Sequence, residues 1–157
     1  MFHTTNPTLF GRPQGVLSRR RALQSTLSDL RTANSCLSSN LPDAFFATLR
    51  LMSDFSSQLS GYFEVTESEG HFNAIARECP SLERRARVLE QAHDRLKESF
   101  ATAISPAAGR EKVCTLALSA RIDGLLDDFE QHEQAEGELL RDFFQRAGEA
   151  ASGEAEA

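Results

Sequence analysis

Four stretches of the chain carry apolar residues at alternating steps of three and four, the spacing that gathers one face of an α-helix. In the first, about residues 16–38, the row is Val16, Arg20, Leu23, Leu27 and Leu30. The second, about 42–68, runs Phe45, Leu49, Met52, Phe55, Leu59, Tyr62 and Thr66, and Pro42 suits its first turn. The third, about 81–104, runs Leu82, Ala86, Leu89, His93, Leu96 and Phe100. Ser81 is its expected N-cap, with Arg84 and Arg85 on the outer side. The fourth, about 110–146, runs Leu118, Ile122, Leu125, Phe129, His132, Glu136, Leu139 and Phe143. No β-branched, alternating run of strand length occurs. The pattern predicts an all-α fold, an antiparallel up-down four-helix bundle over residues 16–146. Residues 69–80 (EGHFNAIARECP) read as a frayed extension or one short extra helix between the second and third. Residues 1–15, with two Pro and two Gly and no period, read as an N-terminal arm. Residues 147–157 are small and acidic, and read as a disordered tail.

Composition narrows the partners. The 157 residues are the size of one domain, and 40% hydrophobic residues suffice for a core. A formal net charge of -6 repels phosphate backbones and anionic headgroups, so neither nucleic acid nor membrane is expected as a partner. The short basic runs Arg19–Arg21 and Arg84, Arg85 and Arg87 fall on different helices and read as solvated faces. Cys36, Cys79 and Cys114 are widely spaced with no CxxC, which predicts reduced thiols in a cytoplasmic protein. Cys114 reads as a small core or boundary residue.

The chemistry sits where the stripes are interrupted. Arg20, Tyr62, Thr66, His93, His132 and Glu136 each replace a Leu or Phe on an inward row. A buried ionisable group is costly unless it is paired or holds a metal. His132 and Glu136 are four apart, hence one turn from each other on one face. With His93 from the facing helix they form a two-histidine, one-carboxylate set that suits Fe(II) or Zn(II). The competing expectation is a metal-free polar core. There Arg20 pairs with Glu136, and the Tyr62 hydroxyl and both imidazoles complete the hydrogen bonds.

Four segments, in order, resemble hemerythrin-like (HHE cation-binding) domains. LMSDFSSQLSGYFEVTES is similar to that family's second helix, with its Leu-x-x-His-Phe-x-x-Glu-Glu pattern. RVLEQAHDRLKESF resembles the third helix, and GLLDDFEQHEQAEGELLRDFF the fourth, whose His-x-x-x-Glu precedes an apolar pair. Arg20-Arg-Ala-Leu23 falls where the family has His-x-x-Leu. The resemblance spans about residues 16–145 and implies a bundle holding a non-haem di-iron centre. Position by position, His93, His132 and Glu136 match ligands of the third and fourth helices. The first-helix histidine position is Arg20 and the second-helix one is Tyr62; Thr66 stands for the partner carboxylate, with Glu67 displaced by one. Leu89 and Lys97, four residues either side of His93, supply no further imidazole. The resemblance therefore implies a degenerate member without a full di-iron centre, acting as a small binding or regulatory module. A mononuclear iron or zinc protein using His93, His132 and Glu136 is the second expectation. A structural partner-binding bundle, with Phe46 and Phe144 at its interface or as a homodimer, is the third.

The remaining polar residues receive plainer assignments. His71 reads as a surface histidine beyond the second helix, and His3 carries no signal. Glu64, Glu67 and Glu69 read as a solvated helix end, with ligation by a displaced Glu67 as the lesser option. No nucleophile, no phosphate-binding glycine loop and no second inward carboxylate accompany Glu136, so an enzyme is not expected.

Overall fold

The computed structural model describes residues 14–39, 43–104 and 115–155. Most of the expected arm with His3, Pro42, Cys114 and the first residues of the fourth stripe lie outside these. All regular structure among the described residues is helical. The elements are α1 (Gln14–Ser38), α2 (Ala44–Ser68), α3 (His71–Glu78), a 3₁₀ turn at Pro80–Leu82, α4 (Glu83–Ile104) and α5 (Thr115–Ala155). No described helix is long and apolar enough to cross a membrane.

Each long helix buries the stripe its sequence predicts, with local shifts. On α1 the buried row is Val16, Leu23, Leu30 and Leu37, joined by Asn34, while Arg20 and Leu27 are half-buried. On α2, Thr48 and Phe63 are fully buried beside the predicted Met52, Phe55, Leu59, Tyr62 and Thr66. Phe45 and Leu49 move to the margin. Phe55 anchors the centre: its ring meets Phe100 of α4 at 4.9 Å and Phe129 of α5 edge-on at 5.3 Å.

Helix α1 packs on α2 and α5, and α4 packs on α2, α3 and α5. Across each pair the partner numbers run in opposite senses. Arg20 meets Glu133, Arg31 meets Glu130 and Asp127, and Asn34 meets Asp123 and the Ser119 carbonyl. Likewise Arg85 meets Asp142 while His93 meets His132, and Phe100 meets Phe55 while His93 meets Glu67.

Two predicted boundaries change, and one open alternative is decided. The expected disordered tail continues α5 as helix to Ala155. The alanines and glutamates there are strong helix formers, and Gln145 donates to Glu149 one turn on (3.1 Å). Residues 71–78 are the short extra helix rather than a frayed end. Ser81 does not cap α4. It lies inside the 3₁₀ turn, where its hydroxyl accepts from Arg146 at 2.6 Å and meets the Cys79 thiol at 3.3 Å.

The apolar interior falls into two clusters. The larger fills the space among α1, α2, the C-terminal half of α4 and the first part of α5. The smaller joins Phe72 and Ile75 of α3, Leu82, Ala86, Leu89, Leu139 and Phe143. On α4, His93 stands between Leu89 of the smaller cluster and Leu96 of the larger. On α5, His132 and Glu136 stand between Phe129 and Leu139. The polar site is the seam between two cores.

Candidate metal centre

His93, His132 and Glu136, the three residues predicted to converge, do so. All three are buried, and one ligand atom from each lies within 4.8 Å of the others. Helix periodicity delivers them, since each replaces one apolar residue of an inward row. Aromatic rings wall the site. Phe63 stacks on His93 at 3.8 Å with the planes 6° apart, and presents its face or edge to His132 at 5.6 Å. Phe72 meets His93 edge-on at 5.4 Å, and the two imidazoles meet at 4.9 Å.

The surrounding residues depart from expectation in three ways. Arg20 does not pair with Glu136. Its guanidinium donates through Nε to Glu133 Oε2 at 3.0 Å, with Nη2 in an ion pair with the same oxygen at 3.0 Å, and remains 32% exposed. The stripe places Arg20 at the margin of α1, and its long stem takes the charge toward water. Thr66 spends its hydroxyl on the Tyr62 carbonyl of its own helix at 2.5 Å. Tyr62 is buried in the larger core with its ring 5.9 Å from Phe63. The metal-free arrangement built on Arg20 and Glu136 is therefore not the one present.

Glu67 is not merely a solvated helix end. Its Oε1 lies 2.9 Å from His93 Nδ1, with the carboxylate half-buried. The last turn of α2 carries it over the α4 stripe, one residue beyond the inward row. An ionised carboxylate accepts the Nδ1 proton, which leaves the lone pair of His93 on Nε2, facing the interior.

His71 is the residue the sequence misplaced most. It is buried, not superficial, and its Nε2 lies 3.3 Å from Glu136 Oε1. Gly70 turns the chain with φ 66°, a left-handed conformation that glycine adopts without a Cβ penalty, and this starts α3 with His71 pointing inward. Phe72, Ile75 and Ala76 then bury the rest of α3, at helical spacing from His71. That spacing within HFNAIA was the available signal. Phe63 had one too: it follows Phe55 and Leu59 in steps of four.

Protonation follows from burial. Desolvation lowers His132 from 6.5 to about 4, reinforced by the neighbouring His93 and only partly opposed by Glu136. His93 is also lowered, chiefly by desolvation, against the raising influence of its Glu67 contact. Burial pushes the Glu136 carboxyl up, but the His71 contact and the field of the imidazoles outweigh it and the net displacement is downward. At neutral pH the group is thus two neutral imidazoles and one carboxylate, the forms in which each can donate a lone pair.

Several of these donors lack a partner. His93 Nε2, His71 Nε2 and both ring nitrogens of His132 are buried without a hydrogen bond. A buried polar atom left so costs roughly 1–3 kcal/mol. The fit to a divalent ion is good: the unpartnered atoms are ligand atoms, and Glu136 and Glu67 together balance a double positive charge. No family model, no curated protein and no solved structure matches the chain.

Proposed function

We propose that the protein is a small metal-binding module. In this reading it is an antiparallel up-down four-helix bundle of hemerythrin-like organisation that holds a single divalent transition-metal ion on His93, His132 and Glu136. The opposed partner numbers along each helix pair support the bundle topology. The order of the four helices and the positions of His93, His132 and Glu136 support the hemerythrin-like likeness. Arg20, Tyr62 and Thr66 occupy positions where that likeness requires ligands, and two of the three are turned to other partners. One ion rather than two is therefore proposed, bound rather than used for catalysis.

The observation that carries the reading is the set of unpartnered, buried imidazole nitrogens beside a buried carboxylate. An imidazole and carboxylate set suits iron or zinc. When bound, the ion supplies the positive charge that the pocket lacks. Glu136 balances it directly, and Glu67 holds His93 in the tautomer that offers Nε2.

Metal analysis of protein purified without chelator tests this. About one equivalent of iron or zinc, lost in His132→Ala while helicity is retained, is the expected outcome. Protein that stays metal-free after incubation with excess Fe(II) and Zn(II) would overturn the reading. A di-iron spectrum would overturn the single-ion assignment.

A further inference from the structure

Beyond the three-residue set whose ligand atoms lie within 4.8 Å of one another, the helix that follows Gly70 brings a fourth donor against Glu136. Building on the metal reading above, we infer that His71 is the fourth ligand, and that the site is a closed tetrahedral one of three histidines and one glutamate. A closed shell of this kind retains an ion; it leaves no position for oxygen or a substrate.

The geometry carries the inference. Two ligands on a tetrahedral ion with bonds of about 2.0–2.1 Å lie about 3.3–3.4 Å apart. His71 Nε2 and Glu136 Oε1 are 3.3 Å apart, and they are not aligned as a hydrogen bond. The pair thus has the separation of one edge of the polyhedron. Glu136 Oε2, the other oxygen of the same carboxylate, faces His132 Nε2 at 4.0 Å. Glu136 is therefore the shared centre of the donor set, with an imidazole on either side. His71 Nε2 is buried and otherwise unpartnered, as His93 Nε2 is.

The position of His71 is also held. Its ring lies 4.3 Å from that of Phe72, and Phe72 and Ile75 anchor α3 in the smaller apolar cluster. Two of the four donors come from α5, one from α4 and one from α3. An ion at their centre joins α3, which a left-handed glycine starts, to α4, which follows a 3₁₀ turn, and to α5.

Cobalt(II) titration of the full chain tests the inference apart from the metal reading. Co(II) in four-coordinate tetrahedral surroundings absorbs strongly in the visible; five- and six-coordinate Co(II) absorbs weakly. Wild-type protein is expected to show the intense tetrahedral bands at one equivalent. His71→Ala is expected to show only weak bands, with affinity reduced by more than the roughly 10–100-fold that loss of an outer carboxylate costs. His71→Cys is expected to restore the intense bands and add a thiolate-to-cobalt charge-transfer band in the near ultraviolet. Only direct ligation produces that band, and circular dichroism of the metal-free variants checks that they fold. Tight Co(II) binding with identical spectra in wild type and His71→Ala would overturn the fourth ligand and leave the three-residue site standing. Absence of Co(II) binding by the wild type would overturn both.

Discussion

The metal-free protein is expected to show a pH dependence of folding that the buried histidines dictate. The perturbation is acidification of the metal-free protein, followed by urea unfolding monitored by circular dichroism between pH 7.5 and 4. His132 has a depressed value in the fold, about 4 against 6.5, because its ring is desolvated and faces His93. A group depressed in this way contributes full stability above its unfolded value, and that contribution is lost as pH falls toward the folded one. In the window between 6.5 and about 4 the unfolded chain binds the proton and the folded chain does not, so acid favours unfolding. At 1.36 kcal/mol per pH unit the contribution lost is about 2 kcal/mol at pH 5 and about 3 kcal/mol at pH 4. That is a large share of the roughly 5–15 kcal/mol by which domains are stable. The lowered values of His93 and Glu136 act in the same direction, so the whole-protein slope is steeper than this single contribution. The His132→Gln variant, which cannot titrate in this range, isolates it. Its unfolding free energy is expected to fall by about 3 kcal/mol less than the wild type's between pH 7 and pH 4. Parallel pH curves for the two proteins would refute the reasoning, since His132 would then be solvated or paired rather than buried neutral.

Arg20→Ala removes an ion pair whose members are 32% and 14% exposed, so it is expected to cost only about 1 kcal/mol in urea unfolding and to leave metal content unchanged. A loss of metal on this substitution would place Arg20 at the site after all. Glu67→Gln is expected to weaken zinc binding by roughly 10–100-fold in a competition titration, because the amide no longer fixes the His93 tautomer. Its far-ultraviolet spectrum is expected to match the wild type's, as the residue is half-exposed. Gly70→Ala places a Cβ at φ 66°, where no neighbouring atom obstructs it, so the backbone alone sets the cost. About 1–2 kcal/mol of stability should be lost, read from the urea midpoint, and Gly70→Asn should lose less.

The stripes that were legible in the sequence were those in which a polar residue replaced a Leu or Phe on a long, regular helix. His93, His132 and Glu136 stood out for that reason, and the structure brings them together. His71 was easily missed because it opens a helix of only eight residues, where the one signal is the short spacing to Phe72, Ile75 and Ala76. Glu67 was hidden because it lies one residue off the inward row and reaches its partner across a helix pair. Arg20 misled for the opposite reason: it does lie on the row, but a long side chain can leave the interior by its stem. The tail misled because charge and small size were weighed above helix propensity. Periodicity reports where Cβ atoms point, not where long side chains end.

The division of the interior into two apolar clusters has a consequence for cooperativity. The residues that link the clusters along α4 and α5 are His93, His132 and Glu136, and the apolar contact across them runs through Phe63 and Phe72, which both meet the His93 ring. Without an ion, the end formed by α3, the 3₁₀ turn, the start of α4 and the late turns of α5 is expected to open locally as a separate unit. Its amides are then expected to exchange with solvent through partial unfolding, ahead of the Phe55 core, in a hydrogen-exchange experiment. An ion held by donors on both sides of the seam would join the two units, so metal loading is expected to merge two tiers of hydrogen exchange into one.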